Sequence, residues 1–532
     1  MKARSGTVVS TIIVMGSTLA SRLLGFVRIA AIGAVFGATG EADVLNLVFN
    51  IPNNLRKLLA EGALSSAFLP VLTRSHEEDP GGTASRELVR RLVGFQLLVL
   101  VPLILASILF SQQIVDVILD FPQTERQLLA GRLFRWIILY ILFISIAAVF
   151  MGTLNSHSRF LVASLTPLLF SISVITSVLL LHQRLGIFAI VVGVIVGGVA
   201  QILVQIPAIR RLGYTALPRF DLSSPRFRRV MRQWLPVVST ASVFTINQQI
   251  AFYFASGLAD GSGSALSNAL VFWQLPFGIF GAAITTVLFP AMSRQHAQND
   301  LAGLRRSVQG GLRALLLLLV PAGAGLAILG EPIIAVALQR GAFTVADTLR
   351  AALVLRWYSV GLFSVAAYNF LQRYFYARGD YRTPLVVAIG TVVLDVVLSL
   401  YLKETILGVG GLALANSIAF TAGFLVFLLN IRAQIAVPDR HLFVPLGESI
   451  LASALAGVVA VFLVRGTETY LWPDWWRRGS SVTGLAVLVV ISFVSVAVIV
   501  GTYRLRGISL SAIVRRSPST DGVETDTNGR YS

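Results

Sequence analysis

Apolar runs of about 20 residues, each long enough to cross a bilayer as a helix, recur from one end of this 532-residue chain to the other. A soluble fold around a single core is excluded by that pattern. Hydrophobic residues make up 55% of the sequence and charged residues 13%, with a mean hydropathy of +0.79. Hydropathy and breaker residues place spans near 7–36, 42–72, 92–111, 133–154, 161–181, 186–207, 235–257, 265–292, 312–329, 348–372, 384–402, 408–431, 444–464 and 484–503. The expected fold is an all-α polytopic membrane protein of about fourteen transmembrane helices, because backbone polar groups in lipid must be satisfied within the segment.

The formal charge of +18 would suggest a nucleic-acid partner in a soluble chain. Here the basic residues fall mostly in short loops, and those outside the spans divide about three to one in favour of one side. That asymmetry places both termini in the cytoplasm and argues against nucleic acid. The start, Met1-Lys2-Ala3-Arg4 before an apolar stretch, resembles a signal peptide, but thirteen spans follow and an uncleaved first helix is expected. With no cysteine in the chain, disulfides and thiolate metal sites are excluded.

A basic loop divides the first twelve spans into two sets of six. The expected organisation is an N-terminal lobe over 1–210, a basic amphipathic cytoplasmic linker helix over 211–234 and a C-terminal lobe over 235–432. Two further helices over 433–506 and a polar, disordered tail over 507–532 complete it. In the linker, Ser224 can cap a helix starting at Pro225, a short basic amphipathic helix expected to lie on the anionic leaflet. Each set opens with a helix polar at depth: Ser21, Arg22 and Arg28 in one, Asn247, Gln248 and Gln249 in the other.

The five histidines lie in or near loops with no HExxH pattern or paired carboxylates, so no hydrolytic constellation is present. Gly408-Val409-Gly410-Gly411 opens an apolar span and reads as a helix start or packing site. The informative residues are charges inside spans, because an arginine at the centre of a lone helix costs about 2.5–3.5 kcal/mol. Arg22, Arg28 and Arg56 therefore need a partner, water or a cavity. Gly25, between the first two, and Pro52, before the third, are expected to bend their helices. Three guanidiniums from two bent helices suit a phosphate or carboxylate held by bidentate hydrogen bonds. The alternative is that Arg28 and Arg56 snorkel or pair with Asp43 and Glu61.

A second polar set comprises Asn247, Asp395, Ser399 and Asn416. Asp395 and Ser399 share a helical face, and such oxygen donors suit Na⁺. An interhelical hydrogen-bond cluster is the alternative. No nucleotide-binding motif is present, so drive must come from an ion gradient, the membrane potential or removal of product.

The stretch Ser21-Arg22-Leu23-Leu24-Gly25-Phe26-Val27-Arg28, then Phe36-Gly37-Ala38, Ala42-Asp43, Pro52-Asn53-Asn54-Leu55-Arg56 and Ala60-Glu61-Gly62-Ala63, closely resembles the MurJ/MviN family of lipid II flippases. Gly341-Ala342-Phe343-Thr344, Phe375-Tyr376-Ala377-Arg378 and Gly411-Leu412-Ala413-Leu414-Ala415 extend the similarity over about residues 6 to 430. The resemblance implies the multidrug/oligosaccharidyl-lipid/polysaccharide exporter fold: two six-helix lobes plus two helices forming a lipid-facing groove. It implies a transporter rather than an enzyme, working as a monomer beside the cell-wall synthesis machinery in the bacterial cytoplasmic membrane. The implied substrate is lipid II, the undecaprenyl-pyrophosphate-linked disaccharide pentapeptide of peptidoglycan.

By the same resemblance, Arg22, Arg28 and Arg56 line a central cavity with Ser21 and Glu61 nearby, and a Na⁺ site maps onto Asn247, Asp395, Ser399 and Asn416. Two departures stand out. The family's common aspartate after Arg28 is Ile29, and its common aspartate–arginine pair before the Pro-x-Gly motif reads Leu270-Val271 before Pro276-Phe277-Gly278. A same-fold exporter of another polyprenyl-linked glycan or amphiphile, and a non-transporting scaffold, are the alternative functions.

Overall fold

The computed structural model describes residues 2–59, 63–79, 81–215, 217–435, 440–479 and 481–508. Glu61 and the tail beyond 508 lie outside the described residues. The described elements are helical: α1 (Lys2–Phe36), α2 (Glu41–Leu59), α3 (Ala63–Glu78), α4 (Thr83–Leu109), α5 (Ser111–Ile118), α6 (Thr124–Ile137), α7 (Tyr140–Ser156), α8 (Phe160–Leu185), α9 (Phe188–Arg211) and α10 (Pro225–Ser256). Then follow α11 (Ser262–Pro276), a π-helical turn over Phe277–Gly281, α12 (Ala282–Ala297), α13 (Leu301–Leu338), α14 (Val345–Val360), α15 (Leu362–Ala377), α16 (Arg382–Leu402), α17 (Val409–Ile435), α18 (Arg440–Gly466) and α19 (Val482–Leu505). Ten helical stretches among the described residues are long and apolar enough to span a membrane. The pair α14–α15, bent by 47° at Gly361, makes an eleventh if it crosses as one.

Helices α1–α9 pack mainly on one another, α11–α17 form a second group, and α18–α19 pack against α13. In lipid, burial of apolar surface gives little drive for helix association, so small residues and polar ties set the contacts. On α9, a Cβ at Gly193 would lie 2.7 Å from the Val174 Cα, and one at Gly197 would lie 3.1 Å from the Phe170 Cα. The absence of those side chains lets α8 sit directly on α9 and fixes where Phe170 points. The Gly410-Gly411 pair serves the same end at the start of α17, where a Cβ on Gly411 would lie 2.4 Å from the Leu402 carbonyl oxygen. Along α18 and Ile328 of α13 runs an apolar groove of about 970 Å³.

The separate linker helix expected over 211–234 is not formed. Pro225 does start a helix after Ser224, but that helix continues to Ser256 without interruption, and the Ser224 side chain makes no cap hydrogen bond. The cause is what its first turns pack on. Phe227 and Val230 are buried against Val89, Leu92 and Phe150, and Phe95 meets both Phe227 and Trp234 edge-on. The apolar face that was expected to meet lipid is spent on protein. Arg91 to Asp221 at 2.9 Å and Arg219 to Glu87 at 2.6 Å tie the preceding loop to α4. α1 and α2 continue helically through Gly25 and Pro52. Departures from regular α-helix fall at the π-helical turns over Phe277–Gly281 and Thr467–Leu471 and at Gly361.

Candidate functional site

Helix periodicity gathers the first set of residues. On α1, Ser21, Gly25 and Arg28 are i, i+4 and i+7 and so share one face. On α2, Asp43, Asn46, Asn50, Asn53 and Arg56 form a polar stripe of the same kind. The two faces meet at a cavity of about 210 Å³ within the N-terminal group, lined by Ser21, Gly25, Arg28, Asn53 and Arg56 together with Tyr140, Thr166 and Gln201. A second cavity of about 350 Å³ shares Arg28, Asn53 and Arg56 and extends to α10 and α11, where Gln248, Ser267, Asn268, Val271 and Gln274 form the opposite wall. Both departures from the family pattern, Ile29 and Leu270-Val271, line this second cavity.

Arg28 lies over the Phe170 ring, 4.9 Å from its centroid, and Phe170 is packed in turn against Tyr140 and Phe49. A cation–π contact of this kind contributes about 0.5–2 kcal/mol as water is excluded, which holds the guanidinium without neutralising it. Arg56 directs Nε and Nη2 to the Asn53 Oδ1 at 3.2 and 3.0 Å. Neither arginine pairs with Asp43, whose carboxylate is committed elsewhere. Arg22, one residue past Ser21 and so rotated about 100° around the helix, faces the C-terminal group; its guanidinium nitrogens are 3.7 and 3.8 Å from where a Cβ on Gly278 would stand. Pro52 is buried in α2.

Beyond Asn46, at one end of the cavity, the two helix groups exchange helix caps. The buried Asp43 carboxylate of α2 accepts the backbone N–H of Gly261 at 3.1 Å and of Ser264 at 2.5 Å, at the N-terminus of α11. In return Asp260, just before α11, accepts the Gly40 N–H at 2.9 Å at the start of α2, and Arg126 of α6 donates to it at 2.7 Å. Carboxylates placed against helix N-termini are favoured by the unpaired amides and the helix dipole. Asn46 donating to Ser264 at 2.9 Å and Asn50 to Ser267 at 3.1 Å continue the seam. At the same end the Ala342 N–H donates to the Ala34 carbonyl at 2.8 Å.

The family model described as lipid II flippase MurJ matches residues 32–477. The chain belongs to this family. It is 34% identical to the "probable lipid II flippase MurJ" of Borreliella burgdorferi over 96% of this chain and 99% of that one. Against the protein of the same name in Vibrio cholerae the identity is 31%, over 92% and 96%. A solved structure of lipid II flippase MurJ in an inward closed conformation superposes with a TM-score of 0.74 at 25% identity, covering 93% of this chain and 99% of that one. An inward-facing transporter of the multidrug resistance MATE family, at 17% identity and a TM-score of 0.61, shares the fold. Membership of the MurJ family makes the chain an integral inner-membrane transporter rather than an enzyme.

The second polar set of this MurJ-family chain also comes together. Asn247 of α10 and Asn416 of α17 donate to the Asp395 Oδ2 at 2.8 and 2.9 Å, and the Ser399 hydroxyl donates to Oδ1 at 3.3 Å. Asp395, Asn247 and Ser399 are buried. As they stand, these are the bonds of an interhelical cluster. The same donor set offers a carboxylate, a hydroxyl and, with both amides turned about, two carbonyl oxygens, which fits a small hard cation. Among the described residues no group of three or more histidine, cysteine, aspartate or glutamate side chains is placed to hold a metal ion.

What the sequence reading passed over is the neutral polar lining. The stripe Asn46, Asn50, Asn53 on α2 was readable as i, i+4, i+7. Asn268 and Gln274 carried no such signal, because their facing helix is fixed only by the tertiary seam.

Proposed function

We propose that this chain flips lipid II from the inner to the outer leaflet of the cytoplasmic membrane by alternating access, with Arg22, Arg28 and Arg56 receiving the pyrophosphate. The observation that carries the reading is Arg28: an arginine within a membrane helix, facing a cavity between two helix groups, with no ion pair among the described residues. Such a guanidinium is ready for an anion that arrives from outside the protein, and bidentate bonding to phosphate oxygens suits it.

The working arrangement is fourteen spans with both termini in the cytoplasm, two six-helix lobes, and α18–α19 added beside the C-terminal lobe. With that orientation the exchanged caps close the outer end, so the head group enters from the cytoplasmic side while the polyprenyl tail stays in lipid, beside the groove along α18. Release requires the Asp43 and Asp260 caps to part as the lobes rock. Gly25 and Pro52 serve as points of bending in that motion, and Ser21 and Glu61 serve the substrate beside the arginines. Asn247, Asp395, Ser399 and Asn416 hold Na⁺ and couple its gradient to the cycle, with the membrane potential as a further drive. The protein acts as a monomer in contact with the cell-wall synthesis machinery.

Reconstituted vesicles carrying lipid II in one leaflet test this reading. Arg28→Ala and Arg56→Ala are expected to abolish translocation while leaving membrane insertion intact, and undiminished translocation by both would sink it. Transport that is unchanged when Na⁺ is replaced by K⁺, or in Asp395→Ala, would remove the cation site alone.

A further inference from the structure

The two walls of the larger cavity differ in chemistry. Both of its guanidiniums, Arg28 and Arg56, come from α1 and α2, whereas the wall from α10 and α11 carries amides, a hydroxyl and apolar side chains but no charge. That neutral wall is built by one face of α11. Ser264 and Ser267 are drawn into the seam with Asn46 and Asn50. Asn268, Val271 and Gln274 continue the same face at helical spacing, past the seam and into the cavity.

Asn268 is 8% exposed, and among the described residues its side chain has no hydrogen-bond partner. A primary amide offers two donors and two acceptor lone pairs, and those of Asn268 are open to the cavity it lines. Gln274, six residues and so about 9 Å further along α11, is exposed to the same space. Uncharged amides discriminate poorly among anions but match hydroxyl and acetamido groups, with which they exchange both donor and acceptor bonds.

We infer that Asn268 and Gln274 form a subsite for the uncharged, hydroxyl- and amide-bearing glycan of the lipid-linked substrate, while the arginine wall holds its pyrophosphate. This rests on the lipid II reading and divides recognition between the two lobes: charge is read by one and sugar by the other. A head group seated across the cavity then bridges the lobes, so glycan recognition is coupled to their movement. Neutral residues at 271 and 274 keep a second charge from competing for the phosphate on the sugar side.

Binding of two probes to the reconstituted protein separates the walls: lipid II, and undecaprenyl pyrophosphate, which carries no sugar. Asn268→Ala and Gln274→Ala are each expected to weaken lipid II binding about three- to tenfold, the worth of a neutral hydrogen bond, and to leave undecaprenyl pyrophosphate binding within about twofold. Arg28→Ala is expected to weaken both. Because Gln274 is exposed in the cavity, its variant keeps the fold even if Asn268→Ala does not. Equal weakening of both probes by Gln274→Ala, or no weakening of lipid II, overturns the glycan subsite while Arg28→Ala still supports the pyrophosphate site. If wild type binds neither probe, the lipid II reading fails and the subsite with it.

Discussion

Replacing Asp43 by alanine removes the acceptor that joins α2 to the N-terminus of α11. Two backbone amides, those of Gly261 and Ser264, lose a carboxylate at 3.1 and 2.5 Å in a buried seam. Hydrogen bonds to a charged group contribute about 1.5–3 kcal/mol each. Taking the lower figure for both, because water reaches the amides once the seam opens, the latched state weakens by about 3 kcal/mol, about a hundredfold in the ratio of latched to unlatched molecules. The absence of any native cysteine gives a clean readout. A single cysteine at Val271, on the cavity wall, is shielded from the outer side while the caps hold. Labelling of Val271→Cys by a membrane-impermeant maleimide from outside should accelerate by up to about a hundredfold in the Asp43→Ala background, and further when Asp260→Ala removes the reciprocal cap. Labelling within twofold of the parent rate would refute the reasoning that the exchanged caps hold the outer end closed.

Gly341→Ala should act on the same seam from the other side: Gly341 has φ +57° and a Cβ there would stand 2.1 Å from the Ala34 carbonyl oxygen. A destabilisation of about 2–3 kcal/mol is expected, seen as a lowered thermal midpoint together with faster outer labelling at position 271. Val271→Arg adds a guanidinium to the cavity that already holds Arg28 and Arg56. Lipid II binding should tighten at low ionic strength, and the advantage should shrink as salt rises, in equilibrium binding at two salt concentrations. Phe170→Leu keeps the bulk beside α9 but removes the ring under Arg28; a loss of about two- to fivefold in pyrophosphate affinity is expected, read by titration with undecaprenyl pyrophosphate.

The membrane class and the positions of the arginines were legible in the sequence because both are one-dimensional signals: apolar run length, and charge where lipid forbids it. Ser21, Gly25 and Arg28 share a face by periodicity alone, and the structure places them on one cavity. The destination of Asp43 was not legible. As an acid within a single span's length of Arg28 and Arg56 it read as a candidate counter-ion, whereas it caps a helix more than 200 residues further along the chain. Local sequence carries no record of such a partner. The stretch at Pro225 misled for a similar reason: its amphipathic pattern was real, but Phe227 and Val230 found protein instead of lipid. Glycine and proline at 25 and 52 marked permissive positions, while the observed interruptions at Phe277–Gly281 and Gly361 depend on neighbours. The Asp395 cluster was anticipated as a group, yet its composition alone left both cation ligation and polar packing open.

Translocation of lipid II by purified protein in vesicles, compared between wild type and Arg28→Ala, tests the central claim most directly. A flippase whose cavity arginines receive the pyrophosphate moves the lipid across the bilayer as wild type and fails as Arg28→Ala, with both proteins inserted equally. Translocation by wild type that persists undiminished in Arg28→Ala, or no translocation by wild type at all, would contradict it.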